Sequence, residues 1–83
     1  MPYTVVWEAG AINDLARVWA QATDRQAVAD AADEIDRLLR LSSLTVGAEY
    51  GNDRKLVVEP LAVVYAVSPD DCLVRVLAVA FLG

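Results

Sequence analysis

Eighty-three residues, 57% of them apolar and 23% charged, make a chain with room for one small core (residues 1–83 read as a single domain) and too hydrophobic to be intrinsically disordered. The net charge of −5 is spread over both halves, which argues against broad nucleic-acid binding because phosphate affinity comes mainly from Lys and Arg. One cysteine, Cys72, excludes an internal disulfide, and uncharged apolar runs such as Leu61 to Val67 fall far short of the ~18 residues that a membrane span needs. These features lead us to expect a soluble, cytoplasmic protein in which Cys72 packs as a small core hydrophobe.

In chain order, Tyr3 to Glu8 is a β-branched and aromatic stretch closed by Ala9-Gly10, and it reads as a strand. From Ala11 the period changes. Ile12, Leu15, Trp19 and Ala22 recur at spacings of three and four, which predicts a helix to about Gln21 with that stripe facing the core. Thr23-Asp24-Arg25-Gln26 has the form of a capping box and opens a second helix. Its stripe is Val28, Ala31/Ala32, Ile35, Leu38 and Leu39, with Asp30, Asp33, Asp36 and Arg37 turned to water and Asp33 paired to Arg37 at i, i+4. Two amphipathic helices joined by so few residues form an antiparallel hairpin.

Ser42-Ser43 ends the second helix, and Gly47, Gly51 and Asn52 mark a loop of about ten residues before Asp53. Three strand-like runs follow, Arg54 to Val58, Ala62 to Val67 and Cys72 to Ala80, separated by Glu59-Pro60 and Ser68-Pro69-Asp70-Asp71. The expected architecture is α+β: an antiparallel four-stranded sheet, in the order β-α-α-β-β-β, with the helical hairpin on one face. Ile12, Trp19, Ile35 and Leu39 rest on the sheet in this reading. The opposite face, carrying Ala62, Val64 and Ala66, is left apolar. Alternation along a meander also splits neighbours between faces, so a slip of one residue decides whether Arg75 falls beside Tyr65.

The chemistry available is narrow. Without histidine the chain lacks the commonest general base and zinc ligand, and Ser-His-Asp or Cys-His catalysis is excluded. Asp30, Asp33, Glu34 and Asp36 read as the solvated face of a helix, Asp70-Asp71 as a turn, and the isolated glycines make no phosphate-cradling loop. Nothing implies a metal or cofactor. The remaining candidates are Arg54, Lys55 and Arg75 as catalytic cations and Tyr65 as a substrate-binding residue, with Tyr50 in the preceding loop. Each also has a structural reading: Arg54 and Lys55 as strand charges that discourage edge pairing, Tyr65 as a core residue with a satisfied hydroxyl, and Arg75 as a lone charge in an apolar strand that needs solvent or a carboxylate.

The run Tyr3-Thr4-Val5-Val6-Trp7, then Ala11-x-x-Asp14-Leu15-Ala16, Arg54-Lys55-Leu56, Pro60 to Val67, Asp70-Asp71 and Val74 to Val79 resembles the RelE/ParE superfamily of toxins from bacterial type II toxin–antitoxin pairs, in order and over almost the whole chain. The resemblance implies a cognate antitoxin protein as partner, and the apolar open face of the sheet adds self-association as a second option. It also implies one of two activities: cleavage of messenger RNA in the ribosome, or inhibition of DNA gyrase. Carried over residue by residue, Arg54 and Lys55 match the family's basic strand. Leu61-Ala62 stands where ribonuclease members often carry a cation, and Ala80-Phe81-Leu82-Gly83 replaces the usual basic tail. The expectation is therefore a toxin component that acts by protein–protein binding. An active ribonuclease using Arg54, Lys55 and Arg75 is the first alternative, with nucleic-acid contact only in that case. A non-toxic remnant of the same fold is the second.

Overall fold

The computed structural model describes residues 2–83. Strand β1 (Thr4–Trp7) leads into helix α1 (Ala9–Gln21) and helix α2 (Arg25–Ser42), followed by β2 (Ala48–Tyr50), β3 (Asp53–Val58), β4 (Leu61–Ser68), a single 3₁₀ turn at Pro69–Asp71 and β5 (Leu73–Phe81). The α+β class stands, but the sheet has five strands, in the order β1-β5-β4-β3-β2, and it is mixed. The strand missing from the sequence reading is β2, three residues inside the segment assigned to a loop. It forms a tight hairpin with β3, in which Tyr50 pairs with Asp53 across Gly51-Asn52 and Gly51 takes the positive φ (63°) required at the first position of a type II′ turn.

That extra strand also reverses the sense of everything after it. With β2 counted, β5 runs in the same direction as β1, and the two pair in parallel with Val6 opposite Arg75. The antiparallel partner expected for β1 is therefore corrected. The other pairings are antiparallel, with Glu59-Pro60, joined by a cis peptide, linking β3 to β4.

The core lies between the helices and one face of the sheet. Val28, Ala31, Ile35 and Leu39 of α2 and Ala11 and Val18 of α1 meet Leu56, Leu61, Val63, Tyr65, Val74, Val76 and Val79. Burying each of the larger aliphatic side chains contributes about 1.5–3 kcal/mol, so Ile35 and Leu39 are principal anchors of α2. Helix α1 is rotated from expectation. It buries Ala11 and Val18, with Leu15 and Ala22 alongside, and leaves Ile12 and Trp19 at 54% and 43% exposure. Close seating on β5 explains the choice: a Cβ added at Gly10 would lie 3.6 Å from the Leu77 carbonyl oxygen. Small Ala11 fits against the strand, while Ile12, 100° further round the helix, points away.

Several local readings are also revised. Asp24, not Thr23, caps α2, its side chain accepting from the Ala27 amide at 3.0 Å, while Gln26 donates to Asp30. Arg37 pairs with Glu34 rather than Asp33, and Arg40 with Asp36, which also accepts from Trp7 Nε1 at 3.3 Å. Cys72 is half-buried in the left-handed region (φ 49°) at the β4–β5 turn, outside the core.

A register shift between β4 and β5 completes the core. Tyr65 faces Val76 but Val64 faces Ala78, so Leu77 is the extra residue of a bulge. The bulge switches parity along β5, which allows Val74 and Val76 before it and Val79 and Phe81 after it to face the helices. The Val79 amide donates to Asp14 Oδ2 of α1 at 3.1 Å, an acceptor from a helix where β1 has already ended. Among the described residues no helix is long and apolar enough to cross a membrane.

Candidate functional site

Strand alternation divides the sequence candidates between two surfaces. On β3, Leu56 enters the core, so Arg54 and Val58 share its face while Asp53, Lys55 and Val57 point to the other side. On β4, Leu61, Val63 and Tyr65 face the helices, leaving Ala62, Val64 and Ala66 on the opposite face, where Val64 and Ala66 are half-buried and Ala62 is itself buried beneath its neighbours. On β5, Arg75 and, beyond the bulge, Ala78 and Ala80 lie on the uncovered face. Arg75 pairs across the sheet with Ala66 and Tyr65 with Val76, which sets Arg75 and Tyr65 on opposite faces.

Arg54 and Tyr65 are cross-strand partners on the helix side and act on the same loop. The Tyr65 hydroxyl, fully buried, lies 3.0 Å from the Ser43 carbonyl oxygen and 2.8 Å from that of Val46, its single proton shared between them. Arg54 Nη2 donates to the carbonyls of Val46 and Gly47 at 3.2 Å. Gly47 sits at φ 72°, and a Cβ there would approach the Lys55 carbonyl oxygen to 2.5 Å and the Tyr65 hydroxyl to 3.0 Å. Together these groups clamp the segment between α2 and β2. Tyr65 lies in the core with its hydroxyl satisfied, as its structural reading expects, but nothing in the sequence pointed to its partners, which are backbone carbonyls of a loop.

The uncovered face is apolar at its centre. Tyr50, Lys55, Ala62, Val64, Ala78 and Ala80 border a shallow depression of about 160 Å³, and Val57 and Val6 extend the apolar surface at 50% and 41% exposure. The Lys55 ammonium stands 5.6 Å from the centroid of the Tyr50 ring, a cation–π distance, and forms no ion pair among the described residues. Arg75 reaches Glu8 Oε1 at 3.1 Å, the carboxylate that an isolated charge in this strand requires. Lys55 flanks Val64 and Arg75 flanks Ala66 from the other side, so ordinary sheet spacings set the two about 12 Å apart. Three of the four candidates are thus tied to structural partners, and the cations do not converge on one point. No group of three or more His, Cys, Asp or Glu side chains placed to hold a metal occurs among the described residues.

No protein-family model matches the chain, and no curated protein sequence matches it significantly. Solved structures do. A chain of the toxin–antitoxin complex RelBE2 from Mycobacterium tuberculosis superposes with a TM-score of 0.82 at 19% identity, covering 98% of this chain and 92% of that one. This is the RelE/ParE toxin fold. The chromosomal ParDE TA system from P. aeruginosa gives a TM-score of 0.75 at 17% identity over 98% and 97% of the two chains. The archaeal RelE–RelB complex from Pyrococcus horikoshii gives 0.70 at 14% identity over 100% and 98%. Against the RelE/ParE fold, the sequence reading identified the architecture from strand and helix order while missing the short β2 and the direction of β5.

Proposed function

We propose that this chain is the toxin component of a type II toxin–antitoxin pair and that it acts by binding other proteins: a cognate antitoxin, and a cellular target of the gyrase or the translation type. The observation that carries the reading is the composition of the uncovered sheet face. Along its alternating outward strand positions the charged side chains are Asp53, Lys55 and Arg75, the last paired with Glu8 at the end of β1, around a floor of Ala62, Val64, Ala78 and Ala80. A solvated antiparallel sheet ordinarily alternates apolar with polar, so a surface this poor in charge is suited to being covered.

The placement of the cations supports binding over RNA cleavage. Phosphodiester cleavage needs a base, an acid and cationic stabilisation converging on one phosphate. Here Arg54 is separated from Lys55 and Arg75 by the thickness of the sheet, and Tyr65 is sealed in the core.

The reading is tested by inducible expression in a bacterial host. Growth should arrest, the arrest should be relieved by co-expressing the product of the adjacent reading frame, and Val64→Asp, on the uncovered face, should abolish it while far-UV circular dichroism stays native. Supercoiling and cell-free translation reactions with the purified chain then distinguish the two target types. Absence of arrest together with absence of binding to the neighbouring product would overturn the proposal. Transcript cleavage lost in Lys55→Ala and Arg75→Ala would replace it with the ribonuclease.

A further inference from the structure

Helix α1 presents a second apolar stripe that the fold does not use. Its inward stripe is Ala11, Leu15, Val18 and Ala22, while Ile12, Leu15, Ala16 and Trp19 line an outward surface at helical spacing. The stripe is bounded by opposite charges. One turn before Ile12 stands Glu8, its side chain 40% exposed and bonded to Arg75. At the other end Arg25 folds back over Trp19, its guanidinium carbon 5.9 Å from the ring centroid and its Nε donating to the Trp19 carbonyl at 3.0 Å. Arg25 forms no ion pair with a carboxylate among the described residues.

The surface therefore runs acid, apolar, base along about 16 Å of helix, a pattern complementary to itself when reversed. We infer that α1 is a self-association surface, on which a second copy of this chain packs its own α1 in antiparallel orientation. Centred between Leu15 and Ala16, such a pairing sets Ile12 against Trp19 of the second copy, twice, and brings each Arg25 guanidinium toward the Glu8 end of the opposite helix. The antiparallel helix dipoles add to the same preference. A helix from an unrelated protein has no reason to repeat this charge order in reverse. The stripe is small beside the ~800 Å² per partner of a standard interface, so association is weak and concentration-dependent.

This inference is separate from the proposed toxin role, which concerns the uncovered sheet face, and meets it only at Glu8, the partner of Arg75. Sedimentation equilibrium tests it directly. From about 5 µM to about 1 mM, the weight-average mass should rise from 9.0 kDa toward twice that value. Trp19→Glu and Arg25→Glu should each weaken association tenfold or more without altering far-UV circular dichroism, since both side chains are exposed. Arg25→Lys, which keeps the charge, should associate far more tightly than Arg25→Glu, which loss of a merely structural contact does not explain. The inference is overturned if the wild-type chain remains at 9.0 kDa throughout, if Trp19→Glu associates normally, as it would through the uncovered sheet face, or if Arg25→Lys stays as weak as Arg25→Glu.

Discussion

Removing a single hydroxyl at Tyr65 should loosen β2 ahead of the rest of the sheet. Tyr65→Phe keeps the ring, so the core loses no volume beyond one oxygen. The Ser43 and Val46 carbonyls, at 3.0 and 2.8 Å, lose their shared donor, and Arg54 still reaches Val46 but not Ser43. Leaving one buried acceptor unpaired costs about 1–3 kcal/mol. For a domain of this size each kcal/mol corresponds to roughly 4–8 °C in Tm, so the midpoint should fall by about 4 to about 24 °C. Tyr50→Phe, on a side chain 56% exposed, serves as the control and should change stability by less than about 0.5 kcal/mol. Urea unfolding followed by circular dichroism gives the magnitude. Amide hydrogen exchange gives the location, because β2 springs from the clamped loop and its amides should gain exchange beyond the global loss, while those of Val74 and Val76 should not. A destabilisation below about 0.3 kcal/mol, or uniform acceleration of exchange over all strands, would refute the assignment of Tyr65 as the clamp for this loop.

Gly47→Ala should destabilise by at least about 3 kcal/mol, since its Cβ meets the Lys55 carbonyl at 2.5 Å, whereas Gly51→Ala, with φ 63° but open space around it, should cost about 1–2 kcal/mol; chemical denaturation of the two variants checks the order. Asp14→Ala should cost about 1–3 kcal/mol and selectively expose the Val79 amide to exchange, because that amide donates to the Asp14 carboxylate. Ile35→Ala should cost about 2–5 kcal/mol and Ile12→Ala less than about 0.5 kcal/mol in the dilute chain, a contrast measurable by thermal unfolding that reports which face of α1 and α2 is buried.

What was legible in the sequence was what repeats. The period of α2 placed Val28, Ile35 and Leu39 correctly because its polar residues leave a single apolar stripe. Helix α1 was ambiguous for the opposite reason: it has two apolar stripes sharing Leu15, and periodicity cannot rank them. The ranking was set by the close approach of α1 to β5, where Ala11 fits. Three-residue β2 carries too little pattern to stand out from a glycine-containing segment, and its omission inverted the inferred direction of β5. The candidate site fared similarly. Lys55 and Arg75 fell on the uncovered face, as the alternation of their strands allows. The partner of Arg54 is a pair of loop carbonyls, and that of Arg75 is Glu8, 67 residues away. Contacts of that kind leave no trace in local spacing.

The position of β5 has a consequence for synthesis. It follows every other element in the chain yet lies inside the sheet, between β1 and β4, and it supplies Val74, Val76 and Val79 to the core. While a ribosome is still making the preceding residues, β1 has no neighbour to pair with and the helices have only part of their floor. Assembly of the sheet therefore cannot be completed until Phe81 has emerged, and any segment that mimics β5 during that interval would compete for the vacant lane beside β1.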